Sequence, residues 1–242
     1  VEGNKGPEWL REAAVAVRDE AVRFMVTVLQ CSRHPRRFAA AWFAGDRHAP
    51  NPIGYVSTAL AVTAAGTSVT VALLGVDDNS GLWSNLAVAT LPYAYYALLG
   101  VLCHIAFRLG GSTRPLSASL AIALYVGGGP GLLLTLSLHL DVLLYTVVTG
   151  VRPQHGIIDA PPWFLPILLA PVLAMSALFL MALASGFRGL HGGSRLRAVA
   201  AIVITLMVSG FLMNALHAVF AFSLGVPHFL FHLRGSPIEI WY

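Results

Sequence analysis

Apolar residues along this chain gather into five runs, and polar ones fall into the gaps between them. The runs are Ile53–Val76, Leu86–Arg108, Leu116–Val148, a stretch opening at Pro161-Pro162-Trp163 and reaching Phe187, and Ala198–Leu224. A bilayer core is crossed by about 20 apolar helical residues, so each run predicts one membrane span. The third, at 33 residues, is longer than one straight span needs and carries Gly127-Gly128-Gly129-Pro130 in its middle. Pro130 has no amide hydrogen, and each glycine costs a helix roughly 1 kcal/mol relative to Ala. The spacing therefore predicts a bent or interrupted third helix, its bared carbonyls covered by neighbouring helices rather than by lipid. The expected fold is an all-α polytopic membrane bundle of five transmembrane helices around that kinked span.

Upstream the period changes. Over Glu8–Gln30, the residues Leu10, Ala14, Val17, Ala21, Phe24, Met25 and Val28 recur at three- and four-residue spacing, while Arg11, Arg18, Asp19 and Glu20 take other faces. That pattern predicts an amphipathic helix, ended by Ser32-Arg33-His34-Pro35. Arg33, Arg36 and Arg37 then precede Phe38-Ala39-Ala40-Ala41-Trp42-Phe43, an aromatic patch too short to span. Two readings stand. The segment lies on an anionic leaflet with these arginines at the membrane surface, or it packs on the protein's own face and the arginines serve only as topology signals. The chain thus divides into an interfacial segment (1–50), a five-span domain (51–225) and a tail (226–242) ending in Ile240-Trp241-Tyr242.

Composition agrees with the membrane reading. Mean hydropathy is +0.73 and only 11% of residues are charged, against about 25% in an average soluble domain. The net charge of +4 does not point to nucleic acid, because the charges lie between apolar runs. With five spans, thirteen Lys and Arg residues fall on one side and only Arg152 and Arg234 on the other. This bias puts the N-terminus in the cytoplasm and the C-terminus on the exoplasmic side. Cys31 and Cys103 have no metal-type spacing, and residues 1–50 lack the apolar core of a cleavable signal peptide.

Ionisable side chains within spans are costly and often functional. His104, His139, Asp141 and His217 are the candidates, with Tyr145 and Asn214 as polar companions. By depth His139, Asp141 and His217 are expected to meet, whereas His104 lies toward the opposite end. One reading makes His139 and His217 cofactor ligands, joined by His228 and His232, whose four-residue spacing suits metal ligation. The other gives each histidine a single hydrogen bond inside the bundle, with no cofactor. Asp77 and Asp78 are read as a solvated loop pair. Catalytic signatures such as Gly-x-Ser-x-Gly or His-Glu-x-x-His are absent, so an enzyme is not expected.

The layout resembles the Yip family of five-span membrane proteins, in its bacterial form. The likeness is carried by Pro35-Arg36-Arg37-Phe38, Gly45-Asp46-Arg47 and Asn51-Pro52 leading into the first span. A second stretch runs Tyr96-Ala97-Leu98-Leu99-Gly100-Val101-Leu102-Cys103-His104, Arg108-Leu109-Gly110-Gly111, then Arg114, Leu120 and Tyr125. The N-terminal part departs from the eukaryotic pattern in being short and helical. The resemblance implies a non-enzymatic protein of a bacterial inner membrane, acting through lipids and other membrane proteins as a scaffold or an accessory subunit of a complex. The alternatives are a transporter or channel with the Gly127–Pro130 break as its site, and a haem- or metal-binding electron-transfer subunit.

Overall fold

The computed structural model describes residues 8–45, 49–74, 81–150 and 163–223, leaving aside the side chains of 81–88 and 213–223. Two helices, α1 (Glu8–Arg33) and α2 (Pro35–Phe43), precede α3 (Pro52–Leu74) and α4 (Gly81–Leu109). A long third element follows, made of α5 (Leu116–Val126), a π turn (Gly127–Gly131) and α6 (Leu132–Thr149), and then α7 (Leu165–His191) and α8 (Arg195–Ser223). Among the described residues there is no strand. Five of these helical stretches are long and apolar enough to cross a membrane. Only 22–33% of each span's most apolar window is buried inside the protein, so much of the apolar surface faces outward, as in an integral membrane protein. Ile53, Leu73, Leu173, Met207 and Phe211 are among these outward residues.

Local chemistry sets the ends. Asn51 opens α3, its Oδ1 accepting the Ile53 amide at 2.9 Å, and Pro52 occupies the first turn, where no amide is missed. At the other end of the bundle, α6 stops at Gly150 (φ +67°), whose amide reaches the Thr146 carbonyl at 2.9 Å. α7 stops in the same way at Gly192 (φ +73°), its amide on the Arg188 carbonyl.

The N-terminal helices and the spans share one core. Phe24, Val28, Cys31, Phe38 and Ala39 join Tyr55, Leu99, Cys103, Ile122, Tyr125, Leu183 and Phe187 in it. The first span is set back relative to the third. Tyr55 and Ala59 of α3 lie against Gly128, so the first turns of α5 project past the start of α3. Gly128 is twelve residues beyond Leu116 and Ala59 seven beyond Pro52, an offset of about five residues, which makes the projecting end of α5 roughly 8 Å long. The end of α1 and all of α2 fill the space beside it: Phe38 and Trp42 set their edges on the Tyr125 ring at 4.9 and 5.9 Å, and the Tyr125 hydroxyl donates to the Pro50 carbonyl. This is why Phe38–Phe43 is helical although too short to span. α2 also lies along α7, where a Cβ at Gly189 would strike the Arg36 carbonyl. A smaller core of Leu74, Val142, Tyr145, Phe164 and Leu168 closes the opposite end.

Candidate functional site

The glycine-proline break is not an interruption. Backbone angles on both sides of Gly127–Gly131 stay right-handed helical, and the chain passes through a five-residue π turn. Widening a turn by one residue makes room for the proline ring and its absent donor. All five residues are buried. The Tyr96 ring lies where a side chain at Gly127 or Gly131 would go, and the Tyr55 ring does the same at Gly128. Cys31 and Val28 of α1 close on Gly129. The Gly131 carbonyl accepts from Thr135 Oγ1 at 3.1 Å and from the Tyr96 hydroxyl at 3.5 Å. The glycines thus serve close approach, and aromatic rings from α3 and α4 cover the turn.

His139 Nε2 lies 3.3 Å from Thr67 Oγ1, and Thr67 in turn donates to the Thr63 carbonyl at 3.0 Å. With that hydroxyl proton engaged, His139 Nε2 carries the hydrogen. Asp141 is buried at 1% exposure, and its Oδ2 has no hydrogen-bond partner among the described residues. Being two positions apart, His139 and Asp141 start from nearly opposite sides of α6. Among the described residues no three His, Cys, Asp or Glu side chains gather closely enough to hold a metal ion. His217 is on α8 in a stretch whose side chains are not described; His228, His232, Asp77 and Asp78 lie outside the described residues.

A different polar cluster forms at the arginine-rich end. Ser119, fully buried, sits between two rings, 3.0 Å from His104 Nδ1 and 3.0 Å from His191 Nε2. His191 Nδ1 continues the row to Ser112 Oγ at 2.7 Å. Ser119 has one proton to give, so one of the two facing ring nitrogens donates and the other accepts. The row therefore has two complete arrangements, which differ in the tautomers of the two rings and the direction in which the two hydroxyls donate. The His191 ring is held flat by stacking on Phe107 (4.7 Å, 16°) and Phe187 (5.7 Å, 10°). Arginines enclose the cluster by capping helix ends. Arg197 donates to the Phe107 carbonyl at 3.1 Å and to the Gly110 carbonyl, while Arg114 Nε donates to the Leu190 carbonyl at 3.0 Å. These arginines also satisfy the last carbonyls of α4 and α7, where the helix dipole favours positive charge.

Sequence reasoning missed Ser119, His191 and Ser112, having ended the fourth run at Phe187, short of His191. A signal was present. Tyr96 and Gly127, Gly100 and Ala123, and His104 and Ser119 lie symmetrically about the tight turn at Gly111-Ser112, so an antiparallel hairpin must pair them.

The interfacial residues Arg33, Arg36 and Arg37 have exposed side chains at the junction of α1 and α2. Only the last turns of α1 are docked: Phe24, Thr27, Val28 and Cys31 are buried, whereas Leu10, Val17 and Met25 of the expected apolar face are exposed. A second apolar row, Val22, Met25, Val26 and Leu29, faces away from the bundle at 45–57% exposure. Burial holds the Cys31 thiol well above its usual pKa. No family model matches this chain, and no curated protein or solved structure is significantly similar to it.

Proposed function

We propose that this integral membrane protein is a non-enzymatic scaffold or accessory subunit of a larger membrane complex, in a bacterial inner membrane with its arginine-rich end in the cytoplasm. The observation that carries the reading is the second apolar row of α1. A helix docked by Phe24, Val28 and Cys31 holds Val22, Met25, Val26 and Leu29 outward at three- and four-residue spacing. That is the spacing by which one amphipathic helix meets another. The likeness to the Yip family supports the same view, as does the packing of rings over the glycine turn, which gives the third span a structural task. The cluster of His104, Ser119 and His191 fits a structural role too, since it ties α4, α5 and α7 together at one level.

Purification of the full chain in mild detergent, followed by mass spectrometry of what accompanies it, tests the proposal. A stoichiometric membrane partner is expected, and Met25→Gln/Leu29→Gln should lose it while keeping the wild-type melting temperature. Recovery of the wild-type chain alone, at every detergent tried, would overturn the reading.

A further inference from the structure

Where α1 meets α2, a groove of about 540 Å³ is lined by Arg33, His34, Arg36, Arg37, Ala40 and Ser185 of α7. The three arginines make no ion pair among the described residues; the two ion pairs present are Arg18–Asp19 and Arg23–Glu20, farther up α1. Nor is a carboxylate at hand among the described residues. The described carboxylates are Glu8, Glu12, Asp19, Glu20 and Asp141, the first four at least a dozen residues up α1 from Arg33 and the last beyond the π turn on α6. The groove also receives the N-terminus of α2, where His34 provides no side-chain cap. Guanidinium groups and an uncapped helix N-terminus are together the chemistry that binds a phosphate.

The surface leading away from the groove is apolar. Ser185, Met181, Leu178 and Ala174 follow one another four, three and four residues apart, and so share one face of α7. Met181 is 59% exposed, Ala174 is exposed and Leu178 half-buried. A ligand suited to both parts has an anionic phosphate at one end and a hydrocarbon chain at the other. We infer that the groove seats the phosphate of an anionic phospholipid, with an acyl chain along Met181, Leu178 and Ala174. This goes beyond the scaffold reading and does not rest on it, since a lone protein would bind the same lipid.

Native mass spectrometry of the detergent-purified chain, with phosphatidylglycerol and phosphatidylcholine of matched chains added in equal amounts, tests the inference. Phosphatidylglycerol should be retained preferentially. A basic residue near an anionic surface contributes about 1 kcal/mol, so each arginine lost should cost about five-fold in that preference. Arg33→Gln/Arg36→Gln/Arg37→Gln should abolish it. Arg11→Gln/Arg18→Gln/Arg195→Gln, which removes the same charge elsewhere, should leave it intact. If the triple variant melts early, single changes at Arg33 and Arg37, both exposed, carry the same test. Equal retention of the two lipids, or equal loss in both triple variants, overturns the site. Displacement of the lipid by millimolar glycerol phosphate would show a soluble anion as the ligand and overturn the assignment to a lipid.

Discussion

Gly128→Ala sets two effects of opposite sign against each other. Alanine is the better helix former by about 1 kcal/mol, so in an open position the change would stabilise. Gly128 is not open: a Cβ there would stand 2.6 Å from Tyr55 Cε1, 3.0 Å from Cδ1 and 3.3 Å from the Ala59 Cβ. Carbon atoms pack at about 3.5–4.0 Å, so the ring must retreat by roughly 1 Å. It has nowhere to go. Tyr55 is fully buried, with Phe24 and Tyr125 ring centres at 5.0 and 5.2 Å. Forcing a group into a packed core costs about 1–3 kcal/mol, so after the helix gain a net loss of up to about 2 kcal/mol is expected. For a chain of this size that is a fall in Tm of up to about 8 °C, read by fluorescence melting in detergent. Gly54→Ala, with nothing within 4 Å, should change by up to about 1 kcal/mol in the opposite direction. Combining Gly128→Ala with Tyr55→Val should cost less than the sum of the two single changes, because removing the ring admits the methyl. A Gly128→Ala protein more stable than the wild type, or additive behaviour in the pair, would refute the packing account of the turn.

Three further outcomes follow from the polar clusters. Ser119→Ala leaves two ring nitrogens facing each other without a bridge and should cost about 1–3 kcal/mol, seen as a lower Tm, whereas Ser112→Ala at the protein surface should cost less. Arg197→Lys should lower the Tm as well, since one guanidinium nitrogen bonds both the Phe107 and Gly110 carbonyls from the end of a side chain one bond longer than lysine's, and the planar group that lies 5.8 Å over the Phe107 ring would be lost; a melt identical to wild type would count against the capping role. Cys31 should resist maleimide in the folded protein even at pH 8.5, because burial keeps its thiol protonated above the pH at which a free cysteine ionises, and should label at once when α1 is released by denaturant.

The spans were legible because each depends on a property summed over some twenty residues. The predicted first span, Ile53–Val76, is observed as Pro52–Leu74, and the third, Leu116–Val148, as Leu116–Thr149, since a helix in lipid must satisfy its backbone internally along its whole length. The break at Gly127–Pro130 was legible as a defect, but its form was not. Whether a proline yields a gap or a π turn depends on what covers it, and the Tyr55 and Tyr96 rings come from other helices. Which face of α1 docks was not legible for a related reason. Periodicity grouped Met25 with Phe24 and Val28, yet only two of the three are buried, because a helix with apolar residues on two sides does not declare which one the bundle takes. His104 was rightly set apart from His139, but its true partner, His191, lay hidden at a helix end that the residue pattern had cut short at Phe187.

The π turn has a geometric consequence for the helix that contains it. An α-helix advances about 100° per residue, so one residue absorbed in a wider turn rotates everything after it by that angle relative to everything before. Upstream, Ile122 and Val126 meet Gly186 of α7; downstream, Leu136 and His139 meet Gly66 of α3. The turn works as a phase joint, setting which face of each half of the rod is turned toward α3 and α7, both of which pack along both halves. Removing a single glycine from Gly127–Gly129 would therefore disturb the protein far beyond the size of the residue lost: it would turn one half of the rod against the other and unseat contacts at both ends of the bundle.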